Sequence, residues 1–321
     1  MGYLLVADIG GTNSRFATFS YSSNLSIEMT SSIWIDTRSA SSFSKLLELA
    51  EPQLQQKLSQ YDAVVIAVAG PVENGTSCVP TNIDWELIDR FVLESSFGCS
   101  RCLLINDFVA QAFASQTKAG HDAISILEGG AAPWGAIATV GAGTGFGKVL
   151  VVRDPSGTCI VNPSEGGHVN VAVETEREFE FFQSLSAELG GFAVWDDVLS
   201  GIGLTRIHKF LYNEVLTPEQ VVMASGSKPE TLDWFSTFLG RACRNFALDT
   251  LATGGVFIAG GVVAQNPQIA TSPKFALEFR KSRMHAALLS RIPVKLITDR
   301  DSGLWGGAYY ALNHFSNLVE K

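Results

Sequence analysis

Residues 7–19 read ADIGGTNSRFATF, and the reading of this stretch decides the fold. An apolar run, YLLVA at 3–7, leads in, and an alternating run, RFATF at 15–19, leads out. Each run predicts a strand. Gly10 and Gly11 between them let backbone amides approach a partner closely, and Thr12 and Asn13 add side-chain donors. A row of unpaired N–H groups is an anion cradle. Asp8 is the unexpected member, because a carboxylate repels a phosphate unless a cation stands between them. The combination points to a metal–nucleotide. The competing reading is a plain hairpin whose turn needs glycine, and these thirteen residues alone do not choose between the two.

The pattern returns at 141–148, GAGTGFGK, again between two apolar runs, IATV and VLVV. Two glycine loops thus join strand to strand, one in each half of the chain. Neither is a better-known phosphate loop. A dinucleotide fingerprint needs a third glycine where Phe146 stands, and a helix after it. A Walker loop needs Ser or Thr after Gly147-Lys148, where the chain has Val149, and again a helix. A third glycine pair, Gly260-Gly261, ends the apolar run of GGVFIAGG (254–261). Three such places favour nucleotide binding over glycine-rich hairpins.

Composition excludes other classes. The chain has 321 residues, enough for two domains with real cores. Hydrophobic residues make up 46% and charged residues 17%, which fits a globular protein and not a disordered one. A net charge of −9 argues against a nucleic-acid partner, which selects for basic surfaces. No apolar run approaches twenty residues, so no membrane span is expected. The first residues lack a basic region before the apolar run, so no signal peptide is expected. Gly2 is not followed by Ser or Thr at position 6, which is Val6, so myristoylation is not indicated. Five cysteines predict reduced thiols in a cytoplasm. The CSRC of Cys99 and Cys102 lacks the second pair or βαβ start that a zinc or redox role needs.

Along the chain, strands are predicted at 3–9, 14–20 and 27–36, then a helix over 41–60. A buried strand at 63–68 (AVVIAV) ends at Gly70-Pro71. A helix over 84–96, capped by Asn82 or Asp84, precedes a strand at 101–105 and a helix over 106–117. Strands follow at 123–127, 135–140 and 146–152, and most of 175–253 reads as helical. Ser227 and Glu230 have the spacing of a capping box. Behind it Trp234, Phe235, Phe238, Ala242, Phe246 and Leu251 repeat at helical spacing up to Gly254. A helix over 273–290, a strand at 294–297 and a helix over 302–316 close the chain. Asn106 and Asp107 stand between a strand and a helix, where either is an ordinary N-cap.

With these motifs in hand, the sequence resembles the bacterial glucokinases, sugar kinases of the actin-like ATPase superfamily. DIGGTNSR, INDF (105–108), GAGTGFG, EGGHV (165–169), VLSG (198–201) and GGVFIAGG follow the family's order and spacing from about Tyr3 to Ala311. The resemblance implies an α/β fold of two domains, ribonuclease H-like, with an interdomain cleft. Residues 1–108 with 302–321 would form the smaller domain and 109–301 the larger. It implies ATP and Mg²⁺ as cofactors and glucose as acceptor, with mannose or fructose as the alternative hexose. A non-catalytic sugar sensor on the same fold is the less favoured alternative.

Residue by residue, the resemblance assigns the nucleotide to Ala7, Asp8, Ile9, Gly10, Gly11, Thr12, Asn13, Gly141, Gly143, Thr144, Gly145, Gly260 and Gly261. Asp8 would hold Mg²⁺ through water, since that ion keeps several waters. Asp107 would be the general base and Asn106 a sugar contact. Glu165 and His168 would supply the acceptors and the donor that a polyol needs. Asn82, in PTNIDW, is a further sugar contact or a helix cap. Relatives carry glutamate two residues before VLSG, where this chain has Asp196, which leaves sugar identity open. No cysteine occurs in 170–190, so the zinc site of related families is not expected. A cytoplasmic location, closure of the cleft on sugar and a homodimer, common among relatives, complete the expectation.

Overall fold

The computed structural model describes residues 2–22, 26–81, 83–99 and 101–315. Asn82 lies outside them. The chain divides into two compact units, residues 1–121 with 300–321, and residues 122–299. Each is built on one large mixed sheet, and the first also carries a small antiparallel sheet of Val72–Glu73, Ser77–Cys78 and Ile88–Asp89.

The sheet of the first unit contains β1 (Gly2–Ile9), β2 (Asn13–Tyr21), β3 (Ile27–Asp36), β4 (Ala63–Val68) and β5 (Cys102–Asn106), in the order β3-β2-β1-β4-β5. The β1–β2 and β2–β3 pairs are antiparallel, while β1–β4 and β4–β5 are parallel. Strand β4 is buried along its whole length, which is why it reads as an unbroken apolar run. Leu5, Ala7 and Ile9 face one core with helix α1 (Phe43–Ala50). Leu4 and Val6 face another, with α3 (Asp107–Ala114) and the last helix, α8 (Ser302–Phe315). Helices α3 and α8 touch closely: a Cβ on Gly306 would lie 1.8 Å from the Ala110 carbonyl oxygen. That packing keeps α3 in the first unit, so the division falls at 121/122 and not at 108/109.

The sheet of the second unit contains β6 (Ile124–Leu127), β7 (Ile137–Ala142), β8 (Phe146–Arg153), β9 (Cys159–Ser164), β10 (Gly255–Ala259) and β11 (Val294–Leu296), in the order β9-β8-β7-β10-β11-β6. Its main helices are α4 (Glu176–Leu189), α5 (Gly201–Tyr212), α6 (Glu230–Asp249) and α7 (Pro273–Arg280). One core holds the unit together, with Phe235, Phe238 and Phe275 at its centre.

Several elements depart from the sequence reading. The helix predicted over 41–60 stops at Ala50 and gives way to a short 3₁₀ turn, Glu51–Gln53. Pro52 removes an N–H and crowds the preceding turn. The helix predicted over 84–96 is α2, Arg90–Phe97, and its cap is Asp89, which accepts from the Phe91 amide. Ile88 and Asp89 are held extended against Cys78 and Ser77. Ser227 does not cap α6. Its hydroxyl and amide are bound to the Ala224 carbonyl, and Pro229 takes the cap position. The region 273–290 is two helices, α7 and a turn at Ala286–Leu289. Strand β9 was not predicted; it is an edge strand and so tolerates Pro163.

Candidate active site

The β1–β2 hairpin carries the first group. Its register places Asp8 opposite Arg15, and Arg15 Nη2 donates to Asp8 Oδ2 at 2.6 Å. Arg15 also donates to the Arg300 carbonyl, lies 3.7 Å from Asp301, and stacks on the Trp34 ring. Burial pushes the Asp8 carboxyl above its ordinary range; Arg15 opposes this and Asp301 adds to it. The loop is tied from beneath. Thr37 donates its hydroxyl to the Gly10 carbonyl and its amide to the Thr12 carbonyl. Gly11, Thr12 and Asn13 are exposed, whereas Ala7 and Ile9 are buried strand residues.

Asn106 ends β5 and Asp107 follows it, at the same end of the parallel strands as Asp8. Asp8 pairs with Ala67 of β4, and Asn106 pairs with Val68, one residue further on. Asn106 is the N-cap of α3: its Oδ1 accepts from the Phe108 amide at 2.9 Å. Its Nδ2 donates to the Gly70 carbonyl at 3.1 Å, fixing the side chain at both ends. Asp107 Oδ1 accepts from the same Phe108 amide at 3.0 Å. The cap reading of Asn106 is therefore correct, and Asp107, the first residue of α3, shares the same amide.

In the second unit the residues gather around Phe146, at the start of β8. Its amide donates to Asp196 Oδ1 at 2.5 Å. A Cβ on Gly167 would lie 1.9 Å from the Phe146 carbonyl oxygen, so the EGGH turn rests directly on this strand. The Trp195 amide donates to the Val169 carbonyl, joining that turn to the one at Trp195–Asp197. Thus Glu165, His168 and Asp196 are brought together. Glu165 and His168 are largely exposed, with Nε2 and Oε2 3.8 Å apart. Asp196 Oδ2 takes no bond among the described residues, while Asp197 is occupied by Arg206 and the Val194 amide.

Gly260 and Gly261 lie against the loop between β7 and β8. Gly260 has φ +95°, and a Cβ there would meet the Ala142 carbonyl oxygen at 2.4 Å. Gly143 and Thr144 form the outer part of that loop with Gly145, while Gly141 is buried in β7, opposite Gly147.

Two residues of these surroundings escaped the sequence reading. Arg15 was traceable, because a short loop sets the register and puts it across from Asp8. Lys148 was not, because a lysine in a strand ordinarily reads as solvent-facing, yet this one is buried. As a donor set for Mg²⁺ the site is sparse. Among the described residues no group of three or more His, Cys, Asp or Glu could hold a metal. Asp8 offers one carboxylate already shared with Arg15. That fits an ion held mainly by phosphates and water, as Mg²⁺ commonly is.

Residues 5–314 match the family model for glucokinase. A glucokinase of Sinorhizobium medicae (strain WSM419) is 31% identical over 322 residues, covering 96% of this chain and 91% of that protein. Among solved structures, a glucokinase from an Antarctic psychrotroph superposes with a TM-score of 0.83 at 26% identity, covering 98% of this chain and 99% of that one. A glucokinase of Streptomyces griseus, solved in complex with glucose and AMPPNP, shares the fold at a TM-score of 0.63 and 17% identity, over 96% and 98% of the two chains. With the two glycine-loop hairpins, the INDF strand end and the EGGH turn each in place within its own unit, these likenesses over nearly the whole length show that this chain belongs to the glucokinase family.

Proposed function

We propose that the chain transfers the γ-phosphoryl group of ATP to the 6-hydroxyl of glucose, giving ADP and glucose 6-phosphate. Family membership supports the reaction. The observation that carries the residue roles is that Asp8 and Asn106 lie within one residue in register on either side of β4, at the ends of β1 and β5. Such strand ends are where α/β folds hold ligands.

Asp107 takes the proton of the 6-hydroxyl as that oxygen forms its bond to the γ-phosphorus. The bond from the γ-phosphorus to the bridging oxygen breaks, and ADP leaves with the electron pair. Asn106 is too well fixed to move and positions the sugar beside Asp107. Glu165, His168 and Asp196 bind the remaining hydroxyls, with acceptors and donors in alternation. The glycines at 10–11, 143–145 and 260–261 let backbone reach the nucleotide. Mg²⁺, when bound near Asp8, supplies charge neutralisation on the phosphates. Arg15 keeps Asp8 oriented. We place the enzyme in the cytoplasm; among the described residues no helix is long and apolar enough to cross a membrane.

A coupled assay of ADP release over a panel of glucose, mannose and fructose tests this reading. Glucose-dependent release is expected. Release that no hexose raises above the sugar-free rate overturns it, and preference for mannose or fructose revises the acceptor.

A further inference from the structure

Lys148 follows the β7–β8 glycine loop, and only 4% of it is exposed. Its ammonium makes no hydrogen bond or ion pair among the described residues. Three aromatic rings surround it instead. Nζ lies 5.5 Å from the Trp195 ring centroid and 5.8 Å from those of Phe146 and Phe246. All three are within the range at which a cation is held by a ring face. The stem runs under the EGGH turn: a Cβ on Gly166 would lie 3.0 Å from Lys148 Cδ. The Lys148 carbonyl accepts the Ser164 hydroxyl at 2.7 Å, just before that turn. One side chain therefore touches both turns to which the sugar contacts were assigned, through Gly166 on one and Trp195 on the other.

We propose that Lys148 is a positioning residue for the sugar site, its caged ammonium holding the Trp195–Asp197 turn against the Gly166–His168 turn so that Asp196 and Glu165 converge. The proposal rests on the sugar-binding roles given above. An apolar chain of the same length would fill the space but lose the attraction to the rings. Titratable groups on the surrounding elements are Glu165 and His168 on one turn, Asp196 and Asp197 on the other, and Cys243 and Asp249 on α6. Burial pushes the Lys148 pKa down, while Cys243 and Asp249 raise it. The ammonium is thus lost at lower pH than in an exposed lysine, and the hold on Trp195 goes with it.

The test compares the full-length chain with Lys148→Met and Lys148→Arg from pH 7 to 10. Glucose KM and kcat are read by coupled assay, and Trp195 emission without sugar is read against a Trp195→Phe reference. In Lys148→Met, KM should rise about five- to tenfold, the range of a buried cation–ring contact, with kcat changed less than about twofold. Wild-type KM should climb with pH while that of Lys148→Met stays flat, and Lys148→Arg should keep a low KM to higher pH. The wild-type Trp195 emission should show an alkaline transition that Lys148→Met lacks. Equal KM in wild type and Lys148→Met at every pH overturns the proposal, as does wild-type Trp195 emission without that transition. Should Lys148→Met fail to fold, the wild-type and Lys148→Arg pH profiles decide, and identical profiles overturn it. A wild type that turns over no hexose defeats the functional reading instead, and the sugar-free emission still reports on the cage.

Discussion

The two sheets are the same object with different chemistry at the same places. Order β3-β2-β1-β4-β5 in the first unit matches β9-β8-β7-β10-β11 in the second, with the same antiparallel and parallel pairs. The first hairpin pairs Asp8 with Arg15 next to its loop; the second pairs Gly141 with Gly147 at the corresponding step. In the first unit β5 ends in Asn106, with Asp107 next, while its counterpart β11 ends in Leu296; in the second unit Gly260-Gly261 follows β10, the counterpart of β4. One copy places charged side chains at its strand ends and the other bare backbone. Each hairpin is still braced by a carboxylate. Asp8 braces the first from inside, and Asp196 braces the second from fifty residues away through the Phe146 amide. A shared frame thus permits a division of labour: reacting groups on one copy, and backbone and hydroxyl contacts on the other.

If that division holds, the largest effect belongs to the first copy. Asp107→Ala should lower kcat by at least about 100-fold, the lower end of what a general base supplies. Asn106 remains to cap α3, so the fold should survive, which circular dichroism checks. Calorimetric glucose affinity should change far less than kcat. A loss under about tenfold would mean that the charged copy does not carry the chemistry.

The second copy should respond in KM. Asp196→Ala removes the brace on Phe146 and a sugar acceptor together, so KM for glucose should rise about tenfold or more, as when a buried partner is left unpaired. KM for ATP should rise as well, because the same amide belongs to the glycine loop. Asp196→Asn keeps an acceptor for Phe146 and should restore the ATP KM more than the glucose KM. A kcat effect with both KM values unchanged would erase the contrast between the copies.

Much of this frame was legible in the sequence. Continuous apolar runs gave the buried strands, and glycine loops between strands marked both hairpins. What escaped depended on distant partners. Pro52 is visible, but the strength of the apolar pattern around it masked the end of α1. Ser227 has the spacing of a cap, but its amide and hydroxyl are both consumed by the Ala224 carbonyl. Asp196 was read as a sugar ligand one methylene short; its bond to Phe146 joins residues no local pattern connects. Lys148 looks like any strand lysine until the rings of Phe146, Trp195 and Phe246 close over it.

Acid should separate the copies in a smaller and opposite way. In the second unit Arg241, Arg244 and Lys281 bind Glu174, Glu178 and Glu278 in one network. Burial alone raises the Glu174 carboxyl, but bonds from Lys281 and Arg244 and the nearby Arg241 outweigh it and hold it at about 2. A carboxyl lowered by folding stabilises the fold above its ordinary 4.5, and that contribution is lost as pH falls from there towards about 2. Asp8 has the other sign. Its carboxyl is raised by burial, so its ionised form costs stability at neutral pH, and that cost is relieved as pH falls through its folded value. Hydrogen exchange between pH 5 and pH 3 should therefore show α4, α6 and α7 losing protection before β1, β2 and β4. Glu174→Gln should lose less thermal stability on acidification than the unaltered chain. The difference should be about 2–4 °C, the shift that roughly 1 kcal/mol produces in a domain of this size. Partial exposure of Glu174 keeps the effect at this modest level. Equal loss of protection in both units, with no difference in Glu174→Gln, would show that the network is electrostatically neutral to folding.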